Sequence, residues 1–257
     1  MMILIKLGGS VITDKTRYHT VRMDVLERLC GEIAASGKKV AIVHGAGSFG
    51  HIIAHKYDLV NGLKNDAQIT AVAAVSRDMR ELNLMVLNSL IDAGIAPISI
   101  PPSACFRLKG GRLDISDVEI VRRYLDIGIS PVLFGDVLLD DELGFSICSG
   151  DQLIAVMAKK LFPEKVIFVS DIDGIMDRDP ADPAAMLIKE LRQDEIKQRT
   201  FTSKVKDVTG GIWGKMETMF DLSAHGLECI LINGMVPGRL QSALEGKEVV
   251  GTRIRKG

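Results

Sequence analysis

The chain has 257 residues, 47% of them hydrophobic, enough for one large domain or two coupled lobes around a substantial core. Its 32 basic and 33 acidic residues nearly cancel and form no Lys/Arg block, which excludes a general nucleic-acid binder but leaves room for a local anion site. The four cysteines, Cys30, Cys105, Cys148 and Cys229, share no metal-ligand spacing. They are expected to be buried free thiols in a reducing, cytoplasmic setting.

The chain opens on "MMILIKLGGSV", which carries no basic leader and no small-residue cleavage site. Its apolar run is broken by Lys6 and is far too short to span a bilayer, so a first buried strand is expected and no membrane partner. Further strand-length apolar runs follow: "KVAIVH", "APISI", "SPVLFGD", "KVIFVSD", "ECILIN" and "VVGTRIR". Most are rich in Val and Ile and apolar throughout, as in parallel strands covered on both faces. Helical patterns lie between them. "MDVLERLCGEIAASG" ends at Gly37, "NDAQITAVAAVSRDMRELNLMVLNSLIDAG" ends at Gly94, and "GDQLIAVMAKKLF" and "GKMETMFDLSAHG" come later. Strand–helix alternation predicts an α/β fold with a mainly parallel sheet. "FGDVLLDDELGFSICSG" reads as a hairpin region, and the weakest seam is "KKLFPEK", near Lys160–Lys165. Two lobes sharing one sheet, 1–162 and 163–257, are expected on either side of it.

Several segments carry chemistry. In "KLGGS", Lys6 ends the first strand, where α/β proteins bind ligands, and Gly8 and Gly9 let backbone N–H groups approach an anion. The same residues also make an ordinary turn. Lys15 follows in "ITDKTR", where a solvated charge is the plain alternative. "GAGSFG", Gly45–Gly50, matches the dinucleotide fingerprint G-x-G-x-x-G after a strand. The acidic residue such a fold needs at the end of its next strand is missing, because "APISI" runs into prolines. "AGSFG" lacks the first glycine of a nucleophile elbow. His51 follows the glycines, where the next helix should start. It can donate to a phosphate oxygen there or stand as a helix-start residue in solvent. His51 and His55 could share a helix face, but no glutamate or further ligand completes a metal site.

"SDIDGIMDRDP" sets Asp171, Asp173, Asp177 and Asp179 in a loop without the closing glutamate of an EF-hand. Turn chemistry accounts for some of them. "VTGGIWGKMETM" supplies Gly210, Gly211 and Gly214, then Lys215 at a helix start, a second phosphate-binding pattern. No Walker A sequence occurs.

Together, "KLGGS", "HGAGSFGH", "SGDQL", "SDIDGIMDRDP" and "GGIWGKM" resemble the amino acid kinase superfamily in order and spacing, over essentially the whole chain. Within it, "HGAGSFGH" is similar to the isopentenyl phosphate kinases. Fosfomycin-type kinases share the histidine and are the nearest rival. The resemblance implies an open α/β/α sandwich, an acceptor site in the lobe 1–162, an ATP site in the lobe 163–257, and a homodimer. It implies transfer of the ATP γ-phosphoryl group to isopentenyl phosphate. Lys6 and Gly8, Gly9 and Ser10 would hold the transferring group, and Lys15 would stabilise its charge. Ala46, Gly47 and Gly150 would offer backbone contacts near the acceptor phosphate, which His51 would bind. Asp171, Gly211 and Lys215 would meet the nucleotide. With no dense carboxylate cage, Mg2+ is expected to ride on the ATP phosphates rather than in a protein metal site. The acceptor tail needs an apolar slot, for which Val72, Val75, Met79, Leu82 and Ile147 are candidates. Two other functions fit parts of the pattern. One is a nicotinamide-dependent oxidoreductase, from Gly45–Gly50. The other is a non-catalytic ligand-binding relative, against which Lys6, Lys15 and Lys215 together weigh.

Overall fold

The computed structural model describes residues 2–178, 182–192 and 210–255. Its strands are β1 (Ile3–Leu7), β2 (Val40–His44), β3 (Pro97–Ser99), β4 (Phe106–Lys109), β5 (Arg112–Ser116), β6 (Ser130–Phe134), β7 (Asp136–Asp140), β8 (Gly144–Cys148), β9 (Lys165–Ser170), β10 (Glu190–Arg192), β11 (Cys229–Asn233) and β12 (Gly251–Arg255). Eight of them form one sheet in the order β10-β12-β11-β9-β1-β2-β6-β3. Its pairings are parallel except β11 with β12. All seven apolar runs lie in this sheet.

β1 sits at its centre and is buried along its whole length. Side chains alternate along a strand. Ile3, Ile5 and Leu7 face one core, which takes in Leu26, Leu29 and Ile33 of the helix Met23–Ala35 and Val75, Met79 and Leu82 of the helix Ala67–Asp92. Leu4 faces the other core. That core contains Leu125 of the helix Glu119–Asp126, Leu153 and Met157 of the helix Gly150–Leu161, and Met219 of the helix Gly210–Ala224. Each fully buried Leu or Ile contributes about 1.5–3 kcal/mol. The result is the expected α/β/α sandwich. The alternation also aims Lys6 toward the face covered by the helix Gly150–Leu161.

The structure departs from the sequence reading in three places. A second sheet, β5-β4-β7-β8, adds a hairpin in "FRLKGGRLDIS" to the expected β7–β8 hairpin. Its turn is Gly110–Gly111, with φ of +55° and +77°, which suits a tight hairpin. The Asp140 carboxylate accepts bonds from the N–H groups of Gly110 (3.0 Å) and Gly111 (2.6 Å), and so ties the two hairpins together. A short edge strand, β10, was not expected; only Leu191 of its three residues is buried. The third departure concerns His51. The helix Gly47–Lys56 begins inside the glycine loop, so His51 lies in its second turn rather than at its start. Thr13 Oγ1, from another segment, accepts the Ser48 N–H at 3.0 Å, which lets the helix begin that early.

Two glycine substitutions should separate close packing from helix propensity. At Gly9 a Cβ would fall 2.3 Å from Gly47 N, whereas at Gly31, inside the helix Met23–Ala35, it would meet nothing within 4 Å. Gly9→Ala should therefore lose about 1–3 kcal/mol of stability. Gly31→Ala should gain about 0.4–1 kcal/mol. Urea denaturation of both variants checks the opposite signs.

Candidate active site

Open parallel sheets bind ligands beyond the carboxyl ends of their strands. Here β1 and β2 end side by side, with Leu7 opposite His44. The Gly8 N–H donates to Val169 O and the Gly45 N–H to Leu7 O, both at 2.9 Å. These bonds carry the two turns forward together. They touch backbone to backbone: a Cβ at Gly45 would lie 2.6 Å from Gly9 N. Past them a cavity of about 380 Å³ opens. The first residues of the helices Gly47–Lys56 and Gly150–Leu161 both line it. Helix N-termini carry partial positive charge and orphan N–H groups, so both favour an anion in this space.

Lys6 is almost fully buried, and it pairs with Asp151, in the first turn of the helix Gly150–Leu161. Burial pushes the Lys6 ammonium down to about 8, against the upward pull of Asp151 and helped by the repulsion of Lys215. Lys15 is exposed, with its Nζ 3.3 Å from Asp171 Oδ2. Ser10 Oγ donates to the other Asp171 oxygen at 2.7 Å. Desolvation raises the Asp171 pKa, but the Ser10 hydrogen bond and the Lys15 charge outweigh it and hold the carboxyl below its ordinary range. Asp171 thus joins the turn after β1 to Lys15. Lys215 enters the cavity from the helix Gly210–Ala224.

The two histidines of the glycine loop differ. His44 is fully buried; its Nδ1 lies 3.1 Å from Gly45 O and its Nε2 3.2 Å from Asn83 Nδ2. Burial lowers its pKa to about 4, so its ring is neutral at pH 7. His51 lines the cavity and is open to solvent. Desolvation by the surrounding wall, then the charges of Lys6, Lys15 and Lys215, lower its pKa. A bound phosphate would reverse that electrostatic bias and favour the imidazolium.

Another part of the wall is apolar. Val75 and Met79 line it from the helix Ala67–Asp92, Ile147 from β8, and Ile52 and Ala54 from the helix Gly47–Lys56. Of the five tail-slot candidates, Val75, Met79 and Ile147 line the cavity, while Val72 and Leu82 pack in the core. Asp136 also belongs to the lining; it is buried and its Oδ2 lies 3.5 Å from an Arg80 guanidinium nitrogen. Burial raises its pKa, against the Ser103 hydrogen bond and the Arg80 charge.

One cavity therefore gathers Lys6, Gly8, Gly9, Ser10 and Lys15 from the first segment, Ala46, Gly47 and His51 from the second, and Gly150 and Lys215 from later helices. Asp171 reaches it through Ser10 and Lys15 rather than by lining it. Gly211 lies in the first turn of the helix Gly210–Ala224, and its surroundings fall outside the described residues, as does Asp179. Asp173 pairs with Arg239, and Asp177 accepts the Met186 N–H at 2.9 Å, so both are occupied in local structure. The sequence reading did not place Asp151, Asp136, Ile52 or Cys148 at the site. Asp151 carried a signal, an acid at a helix start after "SG", but its tie to Lys6 required the sheet order. Cys30, Cys148 and Cys229 are buried thiols; Cys105 is only partly buried.

Residues 1–233 match the amino acid kinase family. The chain is 40% identical to the isopentenyl phosphate kinase of Methanothermobacter thermautotrophicus, over 98% of each chain. It is 39% identical to that of Thermoplasma acidophilum, over 99% of this chain and 100% of the relative. Among solved structures, one of an isopentenyl phosphate kinase superposes with a TM-score of 0.87 at 37% identity, covering 99% of this chain and 100% of the other.

The Lys6–Asp151 pair makes the site sensitive to alkali. With a pKa of about 8, Lys6 keeps its charge below that value and loses it above. If charged Lys6 attracts an anionic substrate, kcat/KM, which reports the free enzyme, should fall as pH rises through about 8. Asp151→Asn removes the upward pull and should move this limb to lower pH. A pH–rate profile of both proteins checks it; a flat profile to pH 10 would remove Lys6 from substrate capture.

Proposed function

Because the chain belongs to the amino acid kinase family, and within it to the isopentenyl phosphate kinases, we propose that it transfers the γ-phosphoryl group of ATP to isopentenyl phosphate, giving isopentenyl diphosphate and ADP. The observation that carries this reading is the cavity itself. Lysines, glycine turns and two helix N-termini meet at one part of its wall, and Val75, Met79, Ile147 and Ile52 form an apolar part that suits a short hydrocarbon tail.

The lobes divide the work in this proposal: 1–162 holds the acceptor and 163–257 holds ATP. A non-bridging oxygen of the acceptor phosphate attacks the γ-phosphorus, and the bond from that phosphorus to the β-phosphate oxygen breaks. An ionised phosphate is already a nucleophile, so little general-base help is needed. The obstacle is repulsion between two anions, which positioning and positive charge relieve. Lys6 and the turn Gly8–Ser10 hold the transferring group, and Lys15, set by Asp171, stabilises the charge that develops on it. The backbone at Ala46, Gly47 and Gly150 contacts the acceptor phosphate, and His51 donates to it. Gly211 and Lys215 meet the phosphates of ATP, with Asp171 alongside.

Mg2+ fits this site as a partner of the ATP phosphates, since Asp151 and Asp171 already answer Lys6 and Lys15. There it would neutralise phosphate charge. The proposal also includes a homodimer in the cytoplasm. Exposed Ile69, Leu84 and Ile91, which recur along one face of the helix Ala67–Asp92, support the dimer. Among the described residues no helix is long and apolar enough to cross a membrane.

ADP release with isopentenyl phosphate, dimethylallyl phosphate, fosfomycin, acetylglutamate, carbamate and UMP as acceptors tests the reading. Isopentenyl phosphate should give the highest kcat/KM, and a clear preference for any other acceptor class would overturn it. The role of His51 has its own test. His51→Ala should lower kcat/KM for the acceptor by about 10- to 100-fold, because a phosphate oxygen loses a charge-assisted bond. His51→Gln should retain more activity, and His51→Asn, with a shorter reach, should fall between them or near Ala. ATP affinity by calorimetry should be the same in all three. Parent-level kinetics in His51→Ala would leave the histidine without a role in acceptor binding.

A further inference from the structure

Lys15 sits in the segment 14–20, between Thr13 and Val21, which bridge to each other at its base. The side chain itself is exposed and meets Asp171 across the cavity mouth. Besides Asp171, what aims it is the path of its loop. Three residues further along, Tyr18 OH donates to Asp78 Oδ2 at 2.5 Å. The next residue, His19, has φ of +59°, a left-handed conformation that a side-chain-bearing residue keeps only where contacts hold it. Several contacts hold it. His19 Nε2 lies 3.1 Å from Glu81 Oε2 and 3.8 Å from Asp78 Oδ1. Its ring lies tilted against that of Phe49, with centroids 4.1 Å apart, and Thr20 N donates to Ser48 Oγ at 3.3 Å.

Asp78 is fully buried, and its Oδ1 accepts from two Arg77 guanidinium nitrogens at 2.9 and 2.7 Å. It is also the residue before Met79 and lies one helical turn past Val75, and both of these line the apolar part of the cavity. Fixing Tyr18 to Asp78 thus fixes the Lys15 loop to the wall against which an acceptor tail would pack. His19, Asp78 and Glu81 are also close enough together to ligate a cation. Arg77 already supplies positive charge to both carboxylates, with its Nε 3.7 Å from Glu81 Oε1.

We propose that Tyr18 and His19 are positioning residues for Lys15, clasping its loop to the helix Ala67–Asp92 so that acceptor and lysine share one rigid frame. The inference rests on the role given to Lys15 above. Neither residue lines the cavity, so loosening the clasp should misplace Lys15 while leaving substrate contacts in place.

Tyr18→Phe removes one hydroxyl from a partly exposed ring and should fold. It should lower kcat about tenfold, the order expected of a displaced charge-stabilising group, with KM for ATP and for isopentenyl phosphate unchanged within about twofold. His19→Asn, which accepts the left-handed conformation but cannot span to Glu81, should act in the same direction. The deciding measurement is a double-mutant cycle with Lys15→Ala. Acting through Lys15, Tyr18→Phe should cost nothing further in kcat once Lys15 is gone, while its shift in melting temperature should be the same in both backgrounds. An equal loss of kcat in both backgrounds, or a rise in acceptor KM with kcat unchanged, overturns the proposal and makes the clasp part of the slot alone. A Lys15→Ala variant with parent kcat removes the role of Lys15 and this proposal together, and that single variant tells the two failures apart.

Discussion

A lysine ammonium buried at the end of an otherwise apolar central strand is the constraint around which the cavity is organised. Taking such a charge out of water costs several kcal/mol unless a counter-charge with good geometry meets it. β1 aims Lys6 at the face covered by the helix Gly150–Leu161, and Asp151 in the first turn of that helix supplies the counter-charge. The pair requires the helix to dock with its N-terminus at the carboxyl end of β1. That docking brings Gly150 to the same space as the turn after β1 and the glycine loop after β2. The positive end of the helix and the lysine then add at one point.

The same logic repeats around the cavity. Lys15 faces Asp171, and Arg80 reaches Asp136. Lys6, Lys15 and Arg80 are each met by a carboxylate before any anion arrives, so they need little reorganisation when one does. His51 is the exception in sign. The wall and three lysines disfavour its charge in the free protein, and an anion would restore it. The cavity is poised to change its protonation with its occupant.

Much of this was legible in the sequence, and the limits have physical causes. The seven apolar runs announced the main sheet because strands covered on both faces must be apolar throughout. The glycine motifs announced anion sites because their backbone demands are local. β4 and β5 escaped notice although "KGGR" is a hairpin signal; the flanking Arg107, Lys109 and Arg112 hid the alternation of their apolar residues. The true start of the helix Gly47–Lys56 depends on Thr13, 35 residues away in the chain from Ser48. The tie between Lys6 and Asp151 depends on strand order and helix docking, which no local pattern encodes. In the tail slot, helical spacing alone could not separate Val75 and Met79, which reach the cavity, from Leu82 one turn on, which points into the core.

The placement of β1 also bears on how the chain emerges from a ribosome. β1 precedes the other strands of its sheet in the chain, yet it lies between β2 and β9, and β9 begins only at Lys165. Until Asp151 has been synthesised, the Lys6 ammonium lacks this counter-ion, and until β9 follows, one edge of β1 has no ladder partner. The N-terminal half can collapse around its helices before then, but its central strand cannot close. Completion of the sheet is thus coupled to synthesis of β9, and a nascent chain that stops short of Lys165 carries an open apolar edge of the kind that chaperones recognise.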